Sequence, residues 1–257
     1  MGEMHRRLKR LIENATIILS TYKMRRPFNK ACTNEIRSTQ WEILELNPHP
    51  HYKRIYKNSE MLYWFYISKW LYKSRKRHEI KKCLDIGCAY GTLALFCKRL
   101  FNSEIYCIDY IDTYLSRALI EKYKFKFQEN NIELDEFPWD TKFDIIIFTE
   151  ILEHLNFHPT ITLKKIRNLL TDDGVLYLST PDAARWGRVT KYYASLDLIP
   201  PPNRDMPIVD DHVYQYNKIE LINVISDAGF KIDKFAYSPG ILNRNRCFNL
   251  ALKKNNS

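Results

Sequence analysis

The chain has 257 residues, 45% of them hydrophobic, and carries 40 Lys and Arg against 30 Asp and Glu, a net charge of +10. That length suits one large core, or a core with a small cap, and the hydrophobic content excludes a disordered chain. No apolar run reaches the roughly 20 residues of a membrane-spanning helix, and the positive excess favours phosphorylated or carboxylated partners without choosing among them.

Residues 1–80 hold no glycine after Gly2 and read as helices, one near Arg6–Tyr22 and a stronger one over Ser59–Lys76, after the Asn-Pro-His-Pro break at 47–50. Met4–Ser20 opens with a basic cluster, but its apolar stretch Ala15–Leu19 is too short for a secretory signal core and no cleavage site follows. Met61–Tyr72 is aromatic, short and interrupted by Lys69, which marks a buried helix and not a membrane-surface one. The six cysteines form no C-x-x-C pair, the usage expected of a reduced cytoplasmic protein.

From residue 82 the pattern changes. Lys82–Ile86 is an apolar strand that breaks into Asp85-x-Gly87-x-x-x-Gly91 ahead of a helical run, 92–101. Glycines there let the backbone turn sharply and lie against a ligand. The loop is neither the dinucleotide fingerprint nor a phosphate loop, so a ligand without a pyrophosphate is favoured. Next come a strand at 104–109 ending in Asp109, a helix over 112–124, an edge strand near 125–133, a β-branched strand at 143–149, a helix at 160–170 and a strand at 174–179. Alternation at this spacing predicts a parallel sheet with helices on both faces. Pro181–Val213 is too long for a plain crossover, and its aromatics argue for a functional insert. Asn217–Ala228 reads as an amphipathic helix stopped by Gly229, followed by a hairpin of Lys231–Tyr237 and Cys247–Lys253.

The order LDIGCAYG, IYCIDY, FPWDTKFDIIIFTEILEHL and LLTDDGVLYLSTP, spanning about residues 81–254, resembles the class I S-adenosylmethionine-dependent methyltransferases. The resemblance implies an α/β, Rossmann-like, seven-stranded and mostly parallel sheet with one antiparallel edge strand. The chain then divides into a helical N-terminal extension, 1–80, and a cofactor domain, 81–257, with the insert 181–213; because ligands bind beyond the carboxyl ends of the strands, the extension and the insert are expected to form the substrate cap. The resemblance implies that Asp85, Gly87, Cys88 and Gly91 line the methionine side of S-adenosylmethionine, that Asp109 holds the ribose hydroxyls, and that Tyr110 and Glu133 lie beside the adenine. Ala89 departs from the pattern, since many members carry a third glycine there. Cys88 reads as a small loop residue, because methyl transfer from a sulfonium needs no nucleophile from the protein.

Transfer to an alcohol needs help with the departing proton. Glu150, Glu153 and His154 follow the fourth long strand, and a helical turn would set Glu150 and His154 on one face. Two readings stay open. Either His154 is a pocket wall or general base, or Glu150, Glu153, His154 and the insert's His212 bind a divalent cation. The second resembles the E-x-x-E-H motif of small-RNA 2′-O-methyltransferases and quinone-biosynthesis O-methyltransferases. Two carboxylates and two imidazoles suit Mn²⁺, Fe²⁺, Co²⁺ or Zn²⁺ better than an all-oxygen Mg²⁺ site, with Mg²⁺ still open. The expected activity is O-methylation of a small anionic metabolite, foremost a nucleotide-linked sugar. RNA ribose methylation and a non-catalytic cofactor-binding partner subunit are the alternatives.

Overall fold

The computed structural model describes residues 30–75, 79–238 and 246–255. The helix expected at Arg6–Tyr22 lies outside them. Helix α1 (Lys30–Leu46) buries Cys32, Ile36, Thr39, Gln40 and Ile43 along one stripe. Its polar composition hides it from a hydrophobicity search, and it is absent from the expectations above. A one-turn π-helix (Tyr52–Tyr56) leads into α2 (Lys57–Ser74), the aromatic helix expected at 59–76.

Helix α2 is kinked at Trp64, whose φ of −116° and ψ of 29° are not helical. The kink frees backbone groups in the interior. Asn249, fully buried, receives them: Tyr66 N–H donates to its Oδ1 (2.9 Å), and its Nδ2 donates to Tyr63 O (2.7 Å). One side-chain amide thus replaces a missing peptide partner and fixes α2 to the sheet.

The sheet comprises β1 (Lys82–Ile86), β2 (Glu104–Asp109), β3 (Lys126–Glu129), β4 (Phe143–Thr149), β5 (Leu170–Pro181), β6 (Phe230–Tyr237) and β7 (Cys247–Lys254), in the order β3-β2-β1-β4-β5-β7-β6. All neighbours pair in parallel except β7, which is antiparallel to both β5 and β6. The closing hairpin is therefore as expected, with its return strand slotted inside the edge. Helices α1, α2 and α3 (Thr92–Phe101) share a core with one face; α5 (Pro159–Leu169) and, after the one-turn α6 (Ala183–Trp186), α7 (Lys218–Asp227) belong to the core on the other. Among the described residues, no helix is long and apolar enough to cross a membrane.

Local chemistry explains the shifted boundaries. Helix α4 (Arg117–Tyr123) begins later than the periodicity predicts because Ser116 caps it, accepting from Leu119 N–H. β3 stops at Glu129 because Asn131 starts a turn, its Oδ1 accepting from Glu133 N–H at 2.9 Å. Asn217 and Glu220 form a capping box on α7, and Gly229 follows that helix with φ +78°.

Candidate active site

The loop between β1 and α3 is built on left-handed backbone. Gly87 and Gly91 have φ of +69° and +77°; a Cβ on Gly87 would lie 2.1 Å from Ile151 Cδ1, and one on Gly91 2.6 Å from Leu115 Cδ1. Gly87 N–H donates to Ile108 O at 2.8 Å, tying the loop to β2. Ala89 adopts φ +44°, a conformation that suits glycine, so its methyl group carries a steric cost. Its N–H donates to Asp109 Oδ2 at 2.8 Å, and burial raises the Asp109 carboxyl above its usual range. The Cys88 thiol is buried beside Cys107, and that hydrogen bond together with burial pushes it well above the ordinary thiol range, leaving it inert.

A cavity of about 350 Å³ opens at these strand ends. Gly87, Ala89, Asp109, Tyr110, Glu133 and His154 contribute to its wall, so one concave space gathers residues from four separate motifs. Tyr110 is exposed at its rim. Glu133 turns both carboxylate oxygens to backbone: Oε2 accepts from Asn156 N–H (2.9 Å) and Oε1 from Phe157 N–H (2.8 Å), while burial raises its pKa to about 7. Asn156 in turn pairs with the insert, accepting from Val209 N–H (2.8 Å) and donating to Val209 O (3.1 Å).

A second cavity of about 20 Å³ adjoins the first at Tyr56, Gly87 and Thr149. Asp85 and Cys88 line it, together with Glu60, Trp64, Tyr90 and Thr92. Burial first, then Asp109, raises the Asp85 carboxyl to about 8.

The E-x-x-E-H segment differs from the helical turn expected of it. Glu150 has φ +56°, and only Leu152–His154 form a single 3₁₀ turn, so Glu150 and His154 do not share a helix face. Glu150 points instead to the sheet, its Oε1 accepting from Ser179 Oγ (2.7 Å) and its Oε2 from Cys247 Sγ (3.3 Å), with its pKa raised by burial to about 7. The other three predicted ligands converge. Ligand atoms of Glu153, His154 and His212 all lie within 4.8 Å of one another, and the two imidazoles meet edge to face at 4.6 Å.

Backbone hydrogen bonds bring them together across 58 residues. Val213 N–H (2.7 Å) and Tyr214 N–H (3.2 Å) both donate to Glu153 O, clamping the end of the insert onto the 3₁₀ turn. Glu153 is buried; its Oε2 accepts from Thr180 Oγ1 (2.9 Å), whereas Oε1 has no partner among the described residues. Burial, followed by Glu150, drives its pKa well up. Burial also lowers both imidazoles, with His212 adding to the shift on His154, which favours neutral rings, and His212 Nδ1 pairs with Gln215 Nε2 at 3.1 Å. An orphaned carboxylate oxygen beside two neutral imidazoles fits a cation-binding donor set.

Residues the sequence reading passed over include Asn156, Thr180 and Glu60. Glu60 was visible as a lone acid inside the apolar run SEMLYWFY; Thr180 carries no signal, because its role depends on β5 lying next to the 3₁₀ turn.

The arrangement has relatives. Residues 63–234 match the family model described as a methyltransferase domain. A probable S-adenosylmethionine-dependent methyltransferase of Mycobacterium tuberculosis is 23% identical over 171 residues, 65% of this chain and 56% of that protein. The mitochondrial ubiquinone biosynthesis O-methyltransferase of Candida albicans is 30% identical over 103 residues, 38% of this chain and 31% of that protein. The chain thus spans about half of the first relative's length and less of the second's. In fold, it is similar to the crystal structure of 1,6-didemethyltoxoflavin-N1-methyltransferase from Burkholderia thailandensis, with a TM-score of 0.57 at 15% identity, covering 86% of this chain and 89% of that one. With the glycine loop, the seven-stranded order and this family match together, the chain belongs to the methyltransferase-domain family, within the class I S-adenosylmethionine-dependent methyltransferases.

Proposed function

We propose that this protein transfers the methyl group of S-adenosylmethionine to a hydroxyl of a small anionic acceptor, with a divalent cation held by Glu153, His154 and His212. The observation that carries the reading is the convergence of those three side chains, one with an orphaned oxygen, around His154, which also lines the cavity that contains Gly87 and Asp109. Asp109 holds the ribose hydroxyls, and the turn through Gly87 admits the sulfonium end. The cation, Mn²⁺ or Mg²⁺ or a similar ion, supplies Lewis acidity that lowers the pKa of an acceptor hydroxyl. His154 would set the acceptor oxygen toward the methyl group through the cation it helps to hold, and Glu150 stays bonded to Ser179 and Cys247. Methyl transfer is an in-line displacement in which alignment supplies much of the rate. The clamp from Val213 and Tyr214 to Glu153, which sets the insert against the site, is therefore part of the machinery.

The acceptor class rests on the net charge of +10 and on a cavity of small-molecule size, and a nucleotide-linked sugar is its first candidate. The test is release of S-adenosylhomocysteine from S-adenosylmethionine in the presence of nucleotide-linked sugars or of short RNA oligonucleotides, with and without a chelator. Turnover with the sugars that stops on chelation supports the proposal. Turnover with RNA alone transfers it to ribose methylation, and binding without turnover on any acceptor leaves a non-catalytic partner subunit.

A further inference from the structure

Glu60 is buried in α2. Its Oε1 accepts from Gln40 Nε2 (2.7 Å) and from the Tyr52 hydroxyl (3.1 Å); its Oε2 accepts from no group among the described residues. The same Tyr52 hydroxyl bonds Thr92 Oγ1 at 3.0 Å, so Gln40, Tyr52 and Thr92 form a frame around the carboxylate that fixes its orientation. Nothing in that frame neutralises it. Burial raises its pKa to about 7, against the opposing dipoles of Gln40, Thr92 and Tyr52.

The small cavity that Glu60 lines holds a second buried carboxylate, Asp85, and among its lining residues there is no Lys, Arg or His. Two acids beside a free lone pair, in a cavity with no basic lining residue, are completed by protons in the ligand-free protein and by a cationic group of a ligand when one binds. Its volume of about 20 Å³ admits one water-sized group, which suits an ammonium head and not a guanidinium. It also meets the larger cavity at Gly87, Tyr56 and Thr149, the end at which the amino-acid portion of a methyl donor would leave the nucleoside.

We infer that Glu60, from the helical N-terminal segment, is a further ligand of the α-ammonium group of the methyl donor, beside Asp85, which the family resemblance already sets at the methionine end. The inference rests on the cofactor reading above. It gives α2 a part in cofactor recognition, since the carboxylate reaches the glycine loop from a helix that precedes the loop in sequence. It also explains why a polar frame surrounds an acid in an otherwise aromatic helix: the frame holds the charge in place before the ligand arrives.

The test compares S-adenosylhomocysteine with its desamino analogue, which lacks only the ammonium group, by calorimetry on the full chain and on Glu60→Gln. Wild type is expected to bind S-adenosylhomocysteine at least about tenfold more tightly than the analogue, the scale of one charge-assisted hydrogen bond. Glu60→Gln should lose most of that preference by weakening S-adenosylhomocysteine alone, while its ligand-free melting temperature stays level or rises because the cost of burying an ionisable carboxyl is gone. Equal loss for both ligands would make Glu60 a structural residue, and no loss for either would overturn the inference. If Glu60→Gln does not fold, wild type that binds the two ligands equally still overturns it. Wild type that binds neither ligand overturns the cofactor reading itself, and this assignment with it.

Discussion

Glu60 and Glu153 are both buried carboxylates with one oxygen bonded and the other left over, yet their surroundings are chemically opposite. Glu153 stands beside two neutral imidazoles, a set that offers lone pairs to a metal ion. Glu60 stands beside another carboxylate, with hydroxyl and amide donors but no nitrogen base lining its cavity. On the proposed readings, the same unfinished group takes different cations. What completes a buried charge is decided by the lone pairs and hydrogens already around it, not by the residue type.

The comparison is most sharply tested by Glu153→Gln. An amide is a poor metal ligand, so turnover should fall by about 10²–10⁴, the range of lost acid–base or metal assistance, while S-adenosylhomocysteine affinity stays within about twofold. Steady-state kinetics beside calorimetry separates the two, and a matching loss of cofactor affinity would erase the distinction between the carboxylates.

Asn249→Ala tests what holds Glu60 in position. Two backbone groups freed at the Trp64 kink would lose their partner inside the core, costing about 2–4 kcal/mol, or roughly 5–10 °C in melting temperature for a chain of this size. A variant that melts normally would show that α2 needs no such tie.

The two acids at the small cavity also predict a pH dependence. Glu60 and Asp85 sit near 7 and 8 in the folded chain, against about 4.3 and 3.9 when unfolded. Between those values the folded state binds more protons than the unfolded state, so stability of the ligand-free protein falls as pH rises from about 5 to 8. Thermal melts across that range should show the decline, and Glu60→Gln should make it shallower. The smallest effect is expected at Ala89, where φ of +44° suits glycine: Ala89→Gly should raise stability by at most about 1 kcal/mol. A drop in melting temperature would mean that the methyl group makes contacts worth more than its strain.

Much of the cofactor half of the molecule was legible in the sequence because its signals are local. A glycine pair after a short apolar strand, and an acid at the end of the next strand, are read within a few residues of each other, and β1, β2 and β4 lie where the pattern placed them. The cluster around Glu153 is assembled over long separations. The meeting of His154 with His212 was foreseen only through resemblance, and the hydrogen bonds from Val213 and Tyr214 to Glu153 that bring it about leave no mark in composition. The helical turn expected at Glu150 fails for a related reason: the spacing E-x-x-E-H suggests a helix, but left-handed backbone at Glu150 breaks the turn and sends the carboxylate to Ser179, while the residue still lines the main cavity with His154. Helix α1 went unseen because its buried stripe includes Thr39 and Gln40, polar residues whose burial follows from their partners: Thr39 Oγ1 donates to Glu35 O, and Gln40 to Glu60 and Lys57 O.

The most direct measurement sets wild type, Glu60→Gln and Glu153→Gln side by side, recording divalent metal content by elemental analysis after equilibration with Mn²⁺ and S-adenosylhomocysteine affinity by calorimetry. One metal ion per chain in wild type and Glu60→Gln, lost only in Glu153→Gln, with cofactor affinity weakened about tenfold only in Glu60→Gln, is the predicted outcome. A metal-free wild type, or two variants that fail in the same way, would contradict the assignment of separate cations to the two carboxylates.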